Sequence, residues 1–160
     1  MRVTPKTVRR TGGVVEIVPV EASDLLAIGR LHEHFWGEPS DVAVMGETLS
    51  ALSVDPDHVL LAARENGECI GTATGVVCHG LYGGYDTYMV VEDMVVDPGH
   101  RRQGVASALL SRLESIALER GCNQVILLTE SVRADAVALY RANGFEARWT
   151  GFKKKLQRGV

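Results

Sequence analysis

The segment VVEDMVVDPGHRRQGVAS, residues 90–107, predicts a strand, a turn and a helix in direct succession. Residues 90–96 are mostly apolar and β-branched, as expected of a buried strand, and Pro98-Gly99 ends it because proline cannot donate to a β-ladder. From Gly104 onward the apolar residues recur at helical spacing. Two acids, Glu92 and Asp93, stand inside this core strand, and their presence needs a chemical or structural explanation.

The turn at 98–107 has the features of an anion-binding site. The first N–H groups of a helix lack helical partners, the helix start carries about half a positive charge, and a glycine lets a ligand approach the backbone. Arg101 and Arg102 add two full charges, which favours phosphate or pyrophosphate binding. Gly99 and Gly104 also fit a P-loop, but Val105-Ala106 stands where that loop needs Lys and Ser or Thr. The pattern therefore favours a cofactor pyrophosphate held without magnesium chemistry.

The other elements are predicted from apolar periodicity and turn residues. Asn66-Gly67 predicts a tight hairpin turn, because both residues tolerate positive φ. Strands are predicted at 14–20, 58–64, 69–78, 87–97 and 124–129, helices at 23–35, 41–52, 104–120 and 133–143, and closing strands within 145–156. This order predicts an α+β or α/β fold with a mixed sheet. We expect a flexible N-terminal arm at 1–13 and a single domain at 14–160.

Composition narrows the class of protein. The chain has 160 residues, 46% of them hydrophobic, and a net charge of -3, which suits one domain and disfavours nucleic acid as a partner. No apolar run approaches the about 18 residues of a membrane helix. The three cysteines form no CxxC pair and the five histidines no paired metal spacing. We therefore expect a cytoplasmic protein with no membrane partner and no metal.

Three motifs together resemble the GCN5-related N-acetyltransferases. The cofactor signature of that family is Arg or Gln, two residues, Gly, one residue, then Gly or Ala, and this chain has Arg101-Arg102-Gln103-Gly104-Val105-Ala106. Met94-Val95-Val96-Asp97-Pro98 is similar to the hydrophobic strand before it, and Ala136…Tyr140…Gly144-Phe145 resembles the second motif. The resemblance covers residues 14–156 by element order, and its specific part is 90–145.

The resemblance implies a fold and a cosubstrate. The fold is a mixed, mostly antiparallel sheet of six to seven strands, splayed between the fourth and fifth and flanked by about four helices. The cosubstrate is acetyl-CoA, its pyrophosphate on the backbone amides of 102–107 and its pantetheine arm along the strand before. The cofactor-binding residues so implied are Met94, Val95, Val96, Arg101, Arg102, Gln103, Gly104, Val105, Ala106, Ser107 and Arg133; the last stands where the family often has Asn.

The two acids and one tyrosine are the candidate catalytic residues. A primary amine has a pKa of about 10.4, so an enzyme that acetylates it must manage its deprotonation. Regular strand alternation places Glu92 and Asp93 on opposite faces. We expect Glu92, on the same face as Met94 and Val96, to be the base and Asp93 to orient the acceptor; the reverse assignment stays open. The family resemblance implies that Tyr140 protonates the leaving thiolate.

The function so predicted is direct transfer of an acetyl group from acetyl-CoA to a primary amine of a small molecule. Two alternatives remain: a non-catalytic acyl-CoA-binding or sensing module, and a protein or peptide N-acetyltransferase. The EDxVV pattern at 92–96 also resembles glucosamine-phosphate acetyltransferases, and the run from Thr129 to Tyr140 with the ending GFKKKL resembles aminoalkylphosphonate acetyltransferases. These two resemblances leave the acceptor open. A homodimer is expected because dimers are common in the family. A glycine-rich connection with Tyr82 and Tyr85 is a candidate cover for the acceptor.

Overall fold

The computed structural model describes residues 4–10, 13–81, 87–129, 133–148, 150–154 and 156. These residues form two compact units, one extending through Leu127 and the other beginning at Leu128. The single domain predicted for 14–160 stays a prediction.

The first unit is built on one six-stranded sheet. Its strands follow the chain order, β1-β2-β3-β4-β5-β6. They are β1 (Lys6–Arg10), β2 (Gly13–Pro19), β3 (His58–Glu65), β4 (Glu68–His79), β5 (Thr87–Val96) and β6 (Val125–Leu127). All neighbours are antiparallel except β5 and β6, which run parallel. The mixed, mostly antiparallel sheet is therefore confirmed.

The described residues form four α-helices, as predicted. The first unit contains α1 (Leu25–Trp36), α2 (Val42–Ser53) and α3 (Val105–Glu119), and the second contains α4 (Ala134–Ala142). The start of α2 is capped by Asp41, whose side chain accepts from the N–H groups of Ala43 and Val44. No helix in the described ranges is long and apolar enough to cross a membrane.

The core lies where α3 packs against β2 to β5. Its largest fully buried side chains are Ile17, Leu61, Met89, Leu109, Leu110, Leu113, Val15, Val59 and Val105. At Gly75 an added Cβ would lie 2.8 Å from Met89 Sδ and 2.9 Å from Leu113 Cδ2, so the ends of both side chains would have to shift to accommodate a larger residue.

The hairpin between β3 and β4 turns as predicted. Asn66 has φ 52° and Gly67 has φ 85°, the two left-handed conformations that a type I′ turn needs. The antiparallel ladder reaches the turn, with Glu65 opposite Glu68.

The predicted flexible arm is wrong for residues 6–10, which form β1 and pair with β2 from Lys6↔Ile17 to Arg10↔Gly13. Pro5 precedes this strand and does not interrupt it. Two contacts to α3 hold the segment: Lys6 Nζ donates to Ser111 Oγ at 3.2 Å, and Arg112 Nη2 donates to the Thr4 carbonyl at 2.9 Å. Residues 1–3, 11 and 12 lie outside the described ranges.

The closing strands predicted within 145–156 are not formed by the described residues of that segment. Its apolar residues suggested strands, but Phe152 is 93% exposed, so no buried face stabilises an extended ladder there. The same unit has a close approach at Gly151, where a Cβ would lie 2.7 Å from Leu128 Cδ2. Trp149 and the connection with Tyr82 and Tyr85 lie outside the described residues.

Candidate active site

A β-bulge interrupts β5 at the two acids. Glu92 lies opposite Thr74 on β4, and Val95 lies opposite Thr72, so Asp93 and Met94 share one position across from β4. Asp93 has φ 49°, in the left-handed region that few residues other than glycine adopt. Glu92 and Asp93 are both exposed. The bulge explains how a core strand accommodates two adjacent carboxylates.

The bulge also changes which face Glu92 occupies. Val96 pairs with Gly71, where an added Cβ would lie 3.4 Å from Val105 Cγ1 of α3. Glu92 pairs with Thr74, three residues further along β4 and therefore on the opposite face. The prediction that Glu92 shares a face with Val96 is wrong, because the extra residue of the bulge shifts the alternation.

Strands β5 and β6 separate just before the bulge. Their parallel ladder runs from Met89↔Val125 to Val91↔Leu127. Strand β5 continues to Val96, and past Val91 no further pair joins the two strands in the described part of the chain. One backbone edge of β5 therefore has no strand partner at residues 92–96, where the Val96 carbonyl accepts a hydrogen bond from Arg101 Nε at 3.3 Å. This is the predicted splay; it falls between β5 and β6 because β1 precedes the strands counted from sequence.

The turn after β5 is held by Asp97. Its Oδ1 accepts from the Gly99 N–H at 2.8 Å and lies 2.8 Å from His100 Nδ1. The His100 hydrogen bond and the Gly99 N–H hold the pKa of the Asp97 carboxyl below its usual range. Gln103 Nε2 donates to the Gly99 carbonyl at 2.9 Å. These hydrogen bonds order the turn without any ligand.

Helix α3 begins with an uncapped, uncrowded backbone. Gly104 is the N-cap at φ 84°, no side chain caps the helix, and a Cβ on Gly104 would meet nothing within 4 Å. Arg101 and Arg102 are exposed beside it, with Arg102 at φ 55°. Val105 is 1% exposed, so only its backbone can face a ligand. The structure thus places the predicted anion-binding features together at the start of α3.

The remaining predicted cofactor residues of this unit lie along β5 and the first turn of α3. Val95 is 4% exposed and anchors β5 in the core, so its backbone alone remains for a ligand. Half-buried positions are taken by Met94, Val96, Gln103, Ala106 and Ser107. The predicted cofactor role of these residues stays a prediction.

The second unit holds Tyr140 and Arg133. The Tyr140 ring contacts the Phe145 ring edge-on, with centroids 6.0 Å apart and planes at 66°. Burial raises the pKa of the Tyr140 phenol; the positive charge of Arg133 opposes this rise and the negative charge of Asp135 adds to it. The phenol therefore keeps its proton at neutral pH. Arg133 lies directly before α4, as its N-cap.

A comparison with known sequences now identifies the family. The sequence profile of the acetyltransferase (GNAT) family matches residues 25–145, which include the bulge, the turn, α3 and α4. The chain belongs to the acetyltransferase (GNAT) family. It is therefore an acetyltransferase by family, and the family resemblance inferred from the motifs is confirmed.

Relatives of this acetyltransferase cover most of its length. It is 31% identical over 147 residues to the uncharacterized N-acetyltransferase YhfO of Bacillus subtilis (strain 168), covering 86% of this chain and 93% of YhfO. It is 32% identical over 96 residues to the acetyltransferase ECA0875 of Pectobacterium atrosepticum, of which it spans 62%.

Solved structures share the fold of this acetyltransferase. The crystal structure of a transcriptional regulator from Bacillus halodurans C-125 has a TM-score of 0.82 at 22% identity, covering 89% of this chain and 99% of that one. AAC(6')-Iy in complex with a CoA-containing bisubstrate analog has a TM-score of 0.73 at 21% identity, with the same coverage.

Sequence reasoning missed one residue of this acetyltransferase, His32 on α1. In the described part of the protein its buried Nε2 has no hydrogen-bond partner, and its ring meets Trp36 edge-on at 4.8 Å and 79°. An unsatisfied buried polar group costs about 1–3 kcal/mol. Burial lowers the pKa of His32, and the negative charge of Asp93 opposes that shift. The signal was its recurrence with Leu25, Ile28, Leu31 and Phe35 on the apolar face of the helix.

A separate cavity adjoins the turn from its other side. It has a volume of about 630 Å³ and lies between α1, the β3–β4 turn and residues 97–99. Its lining combines Arg30 and His34 with Glu68 and Asp97, and no predicted catalytic residue is among the side chains that line it. Of the residues the structure describes, no three His, Cys, Asp or Glu gather as ligands for a metal ion.

Proposed function

We propose that this protein transfers an acetyl group from acetyl-CoA directly to a primary amine of a small molecule. One observation carries the proposal: β5 leaves its ladder with β6 after Val91, and the same strand continues through the turn with Arg101 and Arg102 into an uncapped helix, which begins at Val105. The open strand edge can bind an extended ligand arm, and the start of the helix can bind the phosphate group of the same ligand.

The residues present fit acetyl-CoA. When bound, it supplies an activated acyl thioester. Arg101 and Arg102 would add positive charge beside the pyrophosphate, and the backbone at Gly104 offers N–H groups that no cap side chain covers. The free edge of β5 would bind the pantetheine arm through backbone hydrogen bonds. Arg133, in the second unit, is proposed as a further cofactor contact.

The carboxylates of the bulge would manage the acceptor amine. At pH 7 less than about 0.1% of a primary amine is neutral. Glu92 and Asp93 are both exposed, so their combined negative charge attracts an ammonium group and one of them removes its proton, directly or through water. Much of the rate would come from holding the amine in position to attack.

Tyr140 would supply the second proton transfer. Its phenol carries its proton at neutral pH, so it can donate its Oη proton to the leaving sulfur. Burial raises the pKa of the phenol above its ordinary value of about 10, against about 8.5 for a cysteine thiol, so this proton transfer is moderately uphill. We assign this role from its position in the family motif and from its protonation state.

Small amines are the favoured acceptors, although peptide amines fit the same chemistry. The proteins of similar fold include one solved with an analog of acetylneamine, which is an observation about that protein and supports a small polar amine here. We further propose a cytoplasmic location and a homodimer. Sedimentation equilibrium at several concentrations tests the dimer.

The test of the function is thiol release from acetyl-CoA against amino sugars, aminophosphonates, polyamines, amino acids and peptides. We expect amine-dependent release, weakened in Glu92→Gln, Asp93→Asn and Tyr140→Phe. Initial rates plotted as double reciprocals should intersect, since both substrates bind before transfer. Parallel lines would contradict direct transfer, and tight acetyl-CoA binding without turnover would indicate a binding module.

A further inference from the structure

His100, in the turn between β5 and α3, lies between two carboxylates. Its Nδ1 is 2.8 Å from Asp97 Oδ1, within the turn, and its Nε2 is 3.4 Å from Glu65 Oε2, at the end of β3. A neutral imidazole has a single N–H, whereas the imidazolium has one on each ring nitrogen, so only the charged ring can donate toward both acids. In that form His100 connects the turn to the β3–β4 hairpin.

The Glu65 end of this contact is packed into the sheet. Glu65 is the last residue of β3, and its side chain is only 16% exposed. An added Cβ on Gly13 of β2 would lie 3.0 Å from Glu65 Oε1, so the carboxylate packs closely against the neighbouring strand. A group that is held to Glu65 is therefore held to the sheet.

The His100 contact is a second attachment of the turn to the sheet. The Asp97 N–H donates to the Ile70 carbonyl of β4 at 2.9 Å, which attaches the start of the turn. His100 attaches it again closer to α3, where the N–H groups of the helix start must point at one place to bind a phosphate group. The positive charge of an imidazolium between Asp97 and Glu65 also reduces their repulsion of an anion.

We propose that His100, as the imidazolium, is a positioning residue for the pyrophosphate of acetyl-CoA. It holds the turn at 98–104 to the β3–β4 hairpin, so that the N–H groups at the start of α3 and the side chains of Arg101 and Arg102 converge on the phosphate groups. The inference rests on the proposed function and deepens it, because it names a residue that acts on the cofactor site through the turn. No covalent bond is made or broken at His100.

The first experiment compares three ligands by calorimetric titration of the whole protein at about pH 6, below the ordinary pKa of histidine. Dephospho-CoA keeps the pyrophosphate of CoA and lacks the 3′-phosphate, whereas pantetheine lacks both. His100→Leu should raise the Kd of CoA and of dephospho-CoA about tenfold, the effect of losing one hydrogen bond between charged groups. The Kd of pantetheine should stay unchanged.

The matched control for this experiment is His58→Leu. His58 Nδ1 lies 3.0 Å from Asp55 Oδ2, and this histidine and acid are also three residues apart. His58 begins β3 and Glu65 ends it, so the control pair lies at the far end of the strand from the turn. His58→Leu should leave all three Kd values unchanged.

The outcomes distinguish this inference from the proposed function. If wild type binds CoA and pantetheine with equal Kd, the proposed pyrophosphate site is wrong and the inference fails with it. If wild type prefers CoA and His100→Leu keeps that preference, only the inference is overturned. An equal loss of affinity for CoA and pantetheine also overturns it, because it indicates a general structural role.

Amide variants and a double-mutant cycle test whether both contacts of His100 are needed. The Asn amide donates from near the place of Nδ1 and the Gln amide from near that of Nε2, so His100→Asn and His100→Gln should each recover part of the affinity for dephospho-CoA. Full recovery by either amide would show that one contact suffices and would overturn the bridge. Combined with Glu65→Gln, His100→Leu should raise Kd by less than the product of the two single effects. Effects that multiply would exclude Glu65 from the bridge.

The pH dependence of binding is a readout that a packing role would not produce. Histidine loses its charge between about pH 5 and pH 8, so the bridge is complete at low pH and is lost as the pH rises. Dephospho-CoA is the probe, because it lacks the phosphate monoester that titrates near pH 6.

The affinity of wild type for dephospho-CoA should fall between about pH 6 and about pH 8.5 toward that of His100→Leu, whose affinity should not change with pH. The charged groups near His100 are Asp97 in the turn and Glu65 on β3, and on α1 the charge of His34 acts on Asp97. The control is therefore His34→Leu, which should keep the pH dependence of wild type. The same pH dependence in wild type and His100→Leu would overturn the proposal.

Discussion

Glu92 lies opposite Thr74 in the β4–β5 ladder, and Val95 lies opposite Thr72. Three residues of β5 therefore advance against two of β4, so β5 carries one additional residue. The additional residue turns the backbone at Asp93 into the left-handed region. The core strand thereby presents two carboxylates at the point where β5 and β6 separate.

The conformation of Asp93 predicts the stability of its variants. Valine is strongly disfavoured at φ 49°, whereas glycine adopts it freely. We expect Asp93→Val to lower the free energy of unfolding by about 1–2 kcal/mol relative to Asp93→Gly. Urea denaturation of both proteins measures the difference, and both lack the carboxylate, so activity does not enter. Equal midpoints would show that the bulge relaxes.

Substitutions of the two glycines at opposite ends of α3 distinguish the effect of backbone strain from the effect on ligand binding. Gly104 has φ 84° and Gly121 has φ 73°, and a Cβ on either meets nothing within 4 Å. Gly104→Ala and Gly121→Ala should therefore lower stability by a similar amount, about 1–2 kcal/mol. Only Gly104→Ala should also weaken acetyl-CoA binding, because only it adds a methyl group beside the proposed pyrophosphate site. Calorimetric titration with acetyl-CoA would falsify this if both variants bound equally well.

The two arginines before α3 predict how the cofactor is recognised. Replacing Arg101 and Arg102 by glutamine together should raise the Kd of CoA about tenfold, a loss of about 1.4 kcal/mol. Pantetheine, which lacks the pyrophosphate, should bind the wild type and the double variant with the same Kd. The effect should shrink with added salt, because exposed charges are screened. The control is Arg9→Gln, an exposed arginine on β1. An equal loss of affinity for CoA and for pantetheine would show that the arginines do not act on the pyrophosphate.

Tyr140 predicts a pH effect of known sign. Because burial raises its pKa above the unfolded value near 10, its contribution to stability is complete below about pH 10 and is lost as the pH rises through the folded pKa. Wild type should therefore lose stability relative to Tyr140→Phe only above about pH 10. At neutral pH the variant should keep its stability and lose kcat about 100-fold. Unfolding curves at pH 8 and pH 10.5 and the kcat profile test both parts.

The kcat test has a matched control. Phe145→Leu removes the ring that packs against Tyr140 and leaves the phenol in place. It should lower stability more than Tyr140→Phe does and lower kcat less. If Tyr140→Phe instead lowered stability more and kcat less than Phe145→Leu, the phenol would have a structural and not a catalytic role.

The Arg64 guanidinium forms one ion pair with a buried acid and one with an exposed acid, so the two can be compared directly. Arg64 meets Asp24, whose side chain is 4% exposed, at 2.6 Å and Glu21, whose side chain is 65% exposed, at 2.9 Å. Asp24→Asn should cost about 3 kcal/mol of unfolding free energy, because it removes the buried partner of the Arg64 guanidinium and leaves only the exposed Glu21. Glu21→Gln should cost less than about 1 kcal/mol. The denaturant midpoints of the two variants measure these losses of stability. Similar losses would show that burial of the acid does not determine the strength of the ion pair.

Local features of the sequence determined much of this protein. The hairpin at Asn66-Gly67, the helix that follows Gly104 and the turn before it depend on residues close together in the chain, so their patterns were sufficient to predict these elements. The family motifs fall in the same continuous stretch, residues 90–145, and the matching family profile includes it. Strand β1 was missed because its pairing with β2 and its contacts with α3 come from other parts of the chain.

Tertiary structure alone decided how the carboxylates are presented. The alternation rule placed Glu92 with Val96, but a bulge depends on the register with β4, and register is a property of two strands. The unsatisfied nitrogen of His32 likewise depends on the atoms that α1 packs against. Periodicity marks a residue as facing inward, and only the packed neighbours determine whether its polar atoms find partners there.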